Sequence, residues 1–165
     1  MRVLVAGIGN VFLGDDGFGV EVVRRLDAMS LPDGVDVADY GIRGVHLAYD
    51  LLDGGHDTLV LVDAVPMEEP PGTLAVLDAS EWTAGLEPSS VEAHSMSPHT
   101  VLAALQALGG RVDRVLVVGC QPADLSEGMG LSAPVGAAVA RAVEKVLEVT
   151  RSEPTRSEQW MPSSC

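Results

Sequence analysis

The sequence predicts an α/β fold, a mostly parallel sheet covered on both faces by helices. Three observations carry this. Short apolar runs alternate along the chain with longer stretches of helical periodicity. Those runs are rich in Val and Leu on both faces, the pattern of strands buried between two layers. The length, 165 residues, suits one domain around a single core, expected over residues 1–150.

The elements follow in order. Arg2 to Ala6 is a short Val/Leu run ending in glycine, which reads as a buried strand. Phe18, Val20, Val22, Val23 and Leu26 recur at near-helical spacing, with Arg24 and Arg25 turned outward. Val35 to Asp39 reads as the second strand. Val45 to Leu52 reads as a helix closed by Gly54-Gly55. Thr58 to Val65 is the clearest strand, apolar on both faces, and Gly72 to Leu77 follows as another after the turn Glu69-Pro70-Pro71-Gly72. Pro98 to Leu108 carries Val101, Leu102, Leu105 and Leu108 on one helical face and stops at Gly109-Gly110. Arg114 to Gly119 is a buried strand, and Ala133 to Val149 is an amphipathic last helix with Pro134 in its first turn. Arg151 to Cys165 has no periodicity and is rich in Ser, Pro and charge, so residues 151–165 are expected to form a disordered tail.

Charge narrows the partners. The formal net charge is −14 and the pI about 4.4. Of the 24 acidic and 10 basic side chains, the last fifteen residues hold two of each, so the body of the chain carries the excess. Such a surface repels phosphate backbones and anionic lipid heads, so neither nucleic acid nor membrane is expected as a partner. No apolar run approaches the roughly 18–20 residues of a membrane span. The apolar start from Met1 to Gly7 is too short for a secretory signal. Cys120 and Cys165 fit no disulfide framework or zinc motif. A cytoplasmic setting is expected.

In parallel sheets ligands bind beyond the carboxyl ends of the strands, near a topological switch point. Three strand ends there carry carboxylates: Asp15-Asp16 after the first strand, Asp39 after the second and Asp63 at the end of the third. Gly7-x-Gly9 opens like a dinucleotide-binding turn, but Phe12 stands at the third glycine position and two acids follow without a compensating base. The paired acids suit a cation better, one as ligand and the other capping the next helix. A site of this kind needs a nitrogen ligand too. His46 and His56 read as ordinary surface or satisfied histidines. His94 and His99 flank Ser95-Met96-Ser97-Pro98 just before a helix, and chemistry alone leaves open which of them would ligate. No His-Glu-x-x-His pair and no Gly-x-Ser-x-Gly elbow occurs, and Cys120 reads as a small core thiol.

Five ordered blocks now point to one family. Gly7-Ile8-Gly9-Asn10 through Leu13-Gly14-Asp15-Asp16-Gly17-Phe18-Gly19 resembles the signature of hydrogenase maturation proteases. Asp39 before a glycine-bearing loop, Val62-Asp63-Ala64, His94-Ser95-Met96-Ser97-Pro98, and Gly119-Cys120-Gln121-Pro122 with Gly128-Met129-Gly130-Leu131-Ser132 match in order, over roughly residues 2–148. The resemblance implies a flavodoxin-like three-layer sandwich with a central sheet of about five strands. It implies a metal-dependent endopeptidase that trims the C-terminal peptide from the nickel-loaded precursor of a nickel–iron hydrogenase large subunit. The metal ligands carried over are Asp16, Asp63 and His94. The carry-over falls on His94, followed by a small residue and then Met, because His99 sits inside the first turn of its helix. Asp39 matches a family acid beside the site, so Asp16, Asp39, Asp63 and His94 form the expected catalytic set. The metal implied is divalent, nickel presented by the precursor, with zinc or cadmium as other occupants. The partner implied is the precursor itself, met by a monomer. A non-catalytic nickel-binding accessory docking on the same precursor is the alternative. The glycines at 7, 9, 14, 17, 19, 41 and 44 are expected to let an extended peptide approach the backbone.

Overall fold

The computed structural model describes residues 2–52, 55–80, 98–110 and 112–151, the side chain of Val45 excepted. His94, Trp160 and all but the first residue of the tail expected over residues 151–165 lie outside the described residues, and that first residue, Arg151, is instead the last of a helix. Among the described residues, five strands form one sheet: β1 (Val3–Ile8), β2 (Val35–Gly41), β3 (Thr58–Ala64), β4 (Leu74–Asp78) and β5 (Arg114–Cys120). The helices are α1 (Phe18–Asp27), α2 (Gly44–Leu52), α3 (Pro98–Ala107) and α4 (Ala133–Arg151), with a 3₁₀ turn at Gly14–Gly17. The strand order is β2-β1-β3-β5-β4. β2, β1, β3 and β5 run parallel, and β4 lies antiparallel on β5.

The period-2 alternation of the strands divides the core. Val3 and Val5 of β1, with Val60, Val62 and Ala64 of β3, pack with Phe18, Val22 and Leu26 of α1 and Ala138, Val139 and Ala142 of α4. Leu4, Ala6 and Ile8, with Leu59 and Leu61, face Leu47 and Leu51 of α2 and Val101, Leu102 and Leu105 of α3. This is the three-layer arrangement the sequence predicts. β1 neighbours both β2 and β3, and the connections α1 and α2 lie on opposite faces. The switch point therefore falls between the carboxyl ends of β1 and β3.

Two differences from the sequence reading have local causes. Gly72 does not open β4. It turns with φ 88°, and a Cβ there would lie 2.6 Å from the Pro134 carbonyl oxygen. α3 ends at Ala107 because Gly109, at φ 78°, bonds back to Gln106 O at 3.0 Å and Gly110 to Leu105 O at 2.9 Å.

Two of the glycines near the switch point also serve internal packing. A Cβ on Gly19 would collide with the Val62 carbonyl and stand 2.7 Å from that of Ile8. One on Gly7 would meet Gly19 O at 2.5 Å. The start of α1 thus rests directly on β1 and β3. Gly19→Ala is expected to cost about 3 kcal/mol by overpacking, read as a lower urea midpoint. An unchanged midpoint would show that the layers can part.

Candidate active site

The chain leaves β1 at the switch point and turns at once. Gly9 has φ 129°, and a Cβ on it would collide with the Asp16 carbonyl and lie 3.4 Å from Asp63 Oδ1. Only a glycine lets the 3₁₀ turn close over the end of β3 this way. Asn10 organises the loop: its N–H donates to Asp16 Oδ2 at 2.7 Å, and its Oδ1 accepts from Phe12 N–H at 2.9 Å.

The two adjacent aspartates part company here. Asp15 is fully buried. Its Oδ2 accepts from Ala123 N–H at 2.8 Å, Asp124 N–H at 2.9 Å and the Ser132 hydroxyl at 2.8 Å, and its Oδ1 accepts from Ser132 N–H at 2.7 Å. Burial raises its pKa, but these four bonds together outweigh it and hold the carboxyl below its ordinary value. The expected helix cap is therefore corrected. Neither the 3₁₀ turn nor α1 carries a side-chain cap, and Asp15 reaches across the molecule instead. Its donors lie more than a hundred residues away in sequence, beyond any local motif.

Asp16 is half-buried, and burial raises its pKa despite the bond from Asn10. Asp63 continues the row of Leu59 and Leu61, on the sheet face that α2 and α3 cover. It is 2% exposed, and its Oδ1 has no hydrogen-bond partner. Burial first, and then the charge of Asp16, push its pKa well above the ordinary value, while the Ala64 N–H opposes them. A buried, unsatisfied oxygen of Asp63 thus lies within electrostatic reach of the half-buried Asp16 carboxylate. That donor set fits a divalent cation, which would pair both charges and fill the orphaned oxygen.

Asp39 is exposed at the end of β2, in register with Gly7. Gly41, at φ 53°, bends the chain beside it and accepts the Gly9 N–H at 2.9 Å. His99 lies in the first turn of α3. His46 is exposed on α2, and His56 Nε2 meets Asp36 Oδ2 at 2.8 Å at the other end of the sheet. Among the described residues no three His, Cys, Asp or Glu side chains gather to hold a metal. Asp16 and Asp63 come together, and the third expected ligand, His94, lies outside those residues.

Gln121, quoted above only as part of a matched block, holds the segment that follows β3. β5 inserts between β3 and β4, so Val65 to Thr73 must cross its carboxyl end. Gln121 Oε1 accepts from Met67 N–H at 2.5 Å and Glu69 N–H at 3.4 Å, and its own N–H donates to Thr73 O at 2.9 Å. A polar residue directly after a buried strand was the available signal. Cys120, one residue before, is buried, and burial first and the Asp15 charge second push its thiol up to about 11, so it is no nucleophile.

Known proteins resemble this chain in sequence and in fold. A family model described as hydrogenase maturation protease matches residues 20–149. The hydrogenase 2 maturation protease of Escherichia coli K12 is 35% identical over 153 residues, covering 92% of this chain and 92% of its own. The solved structure of a hydrogenase maturating endopeptidase from E. coli superposes with a TM-score of 0.74 at 34% identity, over 92% of this chain and 93% of the other. That of a hydrogenase 2 maturation peptidase from a Thaumarchaeota archaeon gives 0.69 at 37% identity, over 93% of this chain and 100% of the other. No helix among the described residues is long and apolar enough to cross a membrane. With a strand-end aspartate pair at the switch point and relatives that align along nearly their whole length, the chain belongs to the hydrogenase maturation protease family.

Proposed function

We propose that the chain is an endopeptidase that removes the C-terminal peptide from the nickel-loaded precursor of a nickel–iron hydrogenase large subunit. One observation carries the reading: the buried, unpartnered Asp63 Oδ1 beside the carboxylate of Asp16. Left alone, this pair is an electrostatic cost to the fold. Opposite a cation held by the precursor's thiolates, it becomes an incomplete ligand shell awaiting its substrate. In this reading Asp16, Asp63 and His94 bind the metal that the precursor presents, which positions the adjacent peptide bond. Nickel there supplies Lewis acidity toward the scissile carbonyl. Asp39, exposed at the rim, accepts the proton of the attacking water. The acidic surroundings attract the cation-bearing substrate, and the protein works in the cytoplasm as a monomer.

The direct test is incubation with nickel-loaded precursor, followed by mass spectrometry of its C-terminus. Loss of the terminal peptide is expected, and precursor lacking nickel should stay whole. Binding with an unchanged mass would instead favour a non-catalytic accessory. His94→Ala is expected to lower the processing rate by about 10²-fold or more, with the unfolding midpoint unchanged. His99→Ala should process normally, and the reverse pattern would move the imidazole role to His99.

A further inference from the structure

We propose that Phe12, Leu125 and Met129 form a preorganised apolar docking platform for the large-subunit precursor, bordering the carboxylate site. This rests on the endopeptidase reading above and names how the same site grips its protein substrate.

These side chains are 63%, 46% and 73% exposed, far from the burial usual for their types. They sit on two loops that are fastened together. Gly128 N–H donates to Phe12 O at 2.8 Å, Gly14 N–H to Gly128 O at 2.8 Å, and Asp15 N–H to Asp124 O at 2.9 Å. Leu13 and Gly128 pair as an isolated β-bridge. The buried Asp15 carboxylate adds its four bonds to Ala123, Asp124 and Ser132. Met129 stands between Gly128 at φ 144° and Gly130 at φ 102°. A Cβ on either glycine would meet open space, so their backbone conformation, not crowding, calls for glycine. The chain therefore fixes these loops in place while leaving large apolar groups in water. A rigid apolar surface loses little entropy when a partner covers it, the property of a docking site.

Continuity with the carboxylates identifies the partner. Asp16 Oδ2 holds the Asn10 N–H, and Asn10 Oδ1 holds the Phe12 N–H, so the platform is tied to a candidate ligand through one residue. A protein whose metal-bearing segment reaches Asp16 brings its adjoining surface to the loop that Asn10 ties to that carboxylate. The acids attract the cation, and the apolar side chains supply the contact that does not depend on charge. The occupant is accordingly an apolar surface of the precursor next to its metal-bearing segment.

The test measures binding of nickel-loaded precursor by biolayer interferometry, with steady-state processing alongside. Phe12→Ser/Leu125→Ser/Met129→Ser is expected to weaken binding by about tenfold or more, chiefly through faster dissociation. Its KM should rise in proportion, with kcat within about twofold of the parent. Phe12→Leu/Met129→Leu should bind as the parent does, since apolar character rather than identity is at stake. Thermal unfolding of all variants should match, because the altered side chains are exposed. Equal binding by parent and triple variant overturns the platform, as does a parent that does not bind. A parent dimer abolished in the triple variant, with precursor binding unchanged, also overturns it and assigns the surface to a second copy. Failure of the parent to cleave bound precursor would overturn the endopeptidase reading alone, while the binding comparison would still decide the platform.

Discussion

Asp63→Asn is expected to lower precursor processing by about 10³-fold or more and, in metal-free protein, to raise the unfolding midpoint. The two effects have one cause. Asp63 is buried, its Oδ1 has no partner, and the charge of Asp16 lies beside it. Its pKa in the folded chain therefore stands well above the ordinary 3.8. Between those two values the folded state binds more protons than the unfolded one. Stability is then greatest in acid and falls as the pH rises through the raised pKa. An amide at 63 removes that loss and relieves Asp16 of a like charge. The gain should be on the order of 1–2 kcal/mol near neutral pH. It should shrink as the pH falls toward the ordinary carboxylate pKa and vanish below it, where the parent carboxyl is protonated in both states. Urea titrations of both proteins with chelator, at several pH values, read this. A variant less stable than the parent at pH 7 would show that Asp63 is paired by something other than a cation. Full processing by the variant would remove Asp63 from the site.

This trade marks where local sequence rules and the fold disagree. The strands β1, β3 and β5 were legible as short apolar runs on both faces, and the helices on either side by their helical spacing. Asp63 was legible as well, since a carboxylate at the end of an otherwise apolar strand violates that pattern and functional sites are where such violations occur. The packing role of the glycines was not legible because it lies in what faces them. Gly19 faces the Val62 carbonyl and Gly14 that of Asp124, and neither contact has a trace in the neighbouring sequence. Asp15 was half legible. Its residue type announced a hydrogen-bonding carboxylate, but a cap on the next helix is the nearest use of one, and the chain uses a distant one. His94 was reached only through the resemblance, and chemistry gave no means of ranking it above His99.

The consequence for Asp15 is the second large effect. Asp15→Asn should destabilise the fold by about 3 kcal/mol. The amide exchanges one acceptor oxygen for a donor in a site where every partner is already a donor. Either Ser132 N–H, on one side, or the Ala123 and Asp124 N–H groups, on the other, would face an N–H group. No rotation of the amide satisfies both. The pH dependence is opposite to that of Asp63. Burial raises the Asp15 pKa, but the four donors overcome it, so the folded value lies below 3.8. Its contribution is complete above the unfolded value and is lost as the pH falls through the folded one. The urea midpoints of parent and Asp15→Asn should therefore differ most at neutral pH and converge in strong acid, whereas those of parent and Asp63→Asn meet already near the ordinary carboxylate pKa. Equal midpoints for Asp15→Asn and the parent at pH 7 would show that the loops at 12–15 and 123–132 do not depend on this carboxylate. The expected loss would show that Asp15 holds these loops together, the opposite of what the buried and unpartnered Asp63 does to the fold.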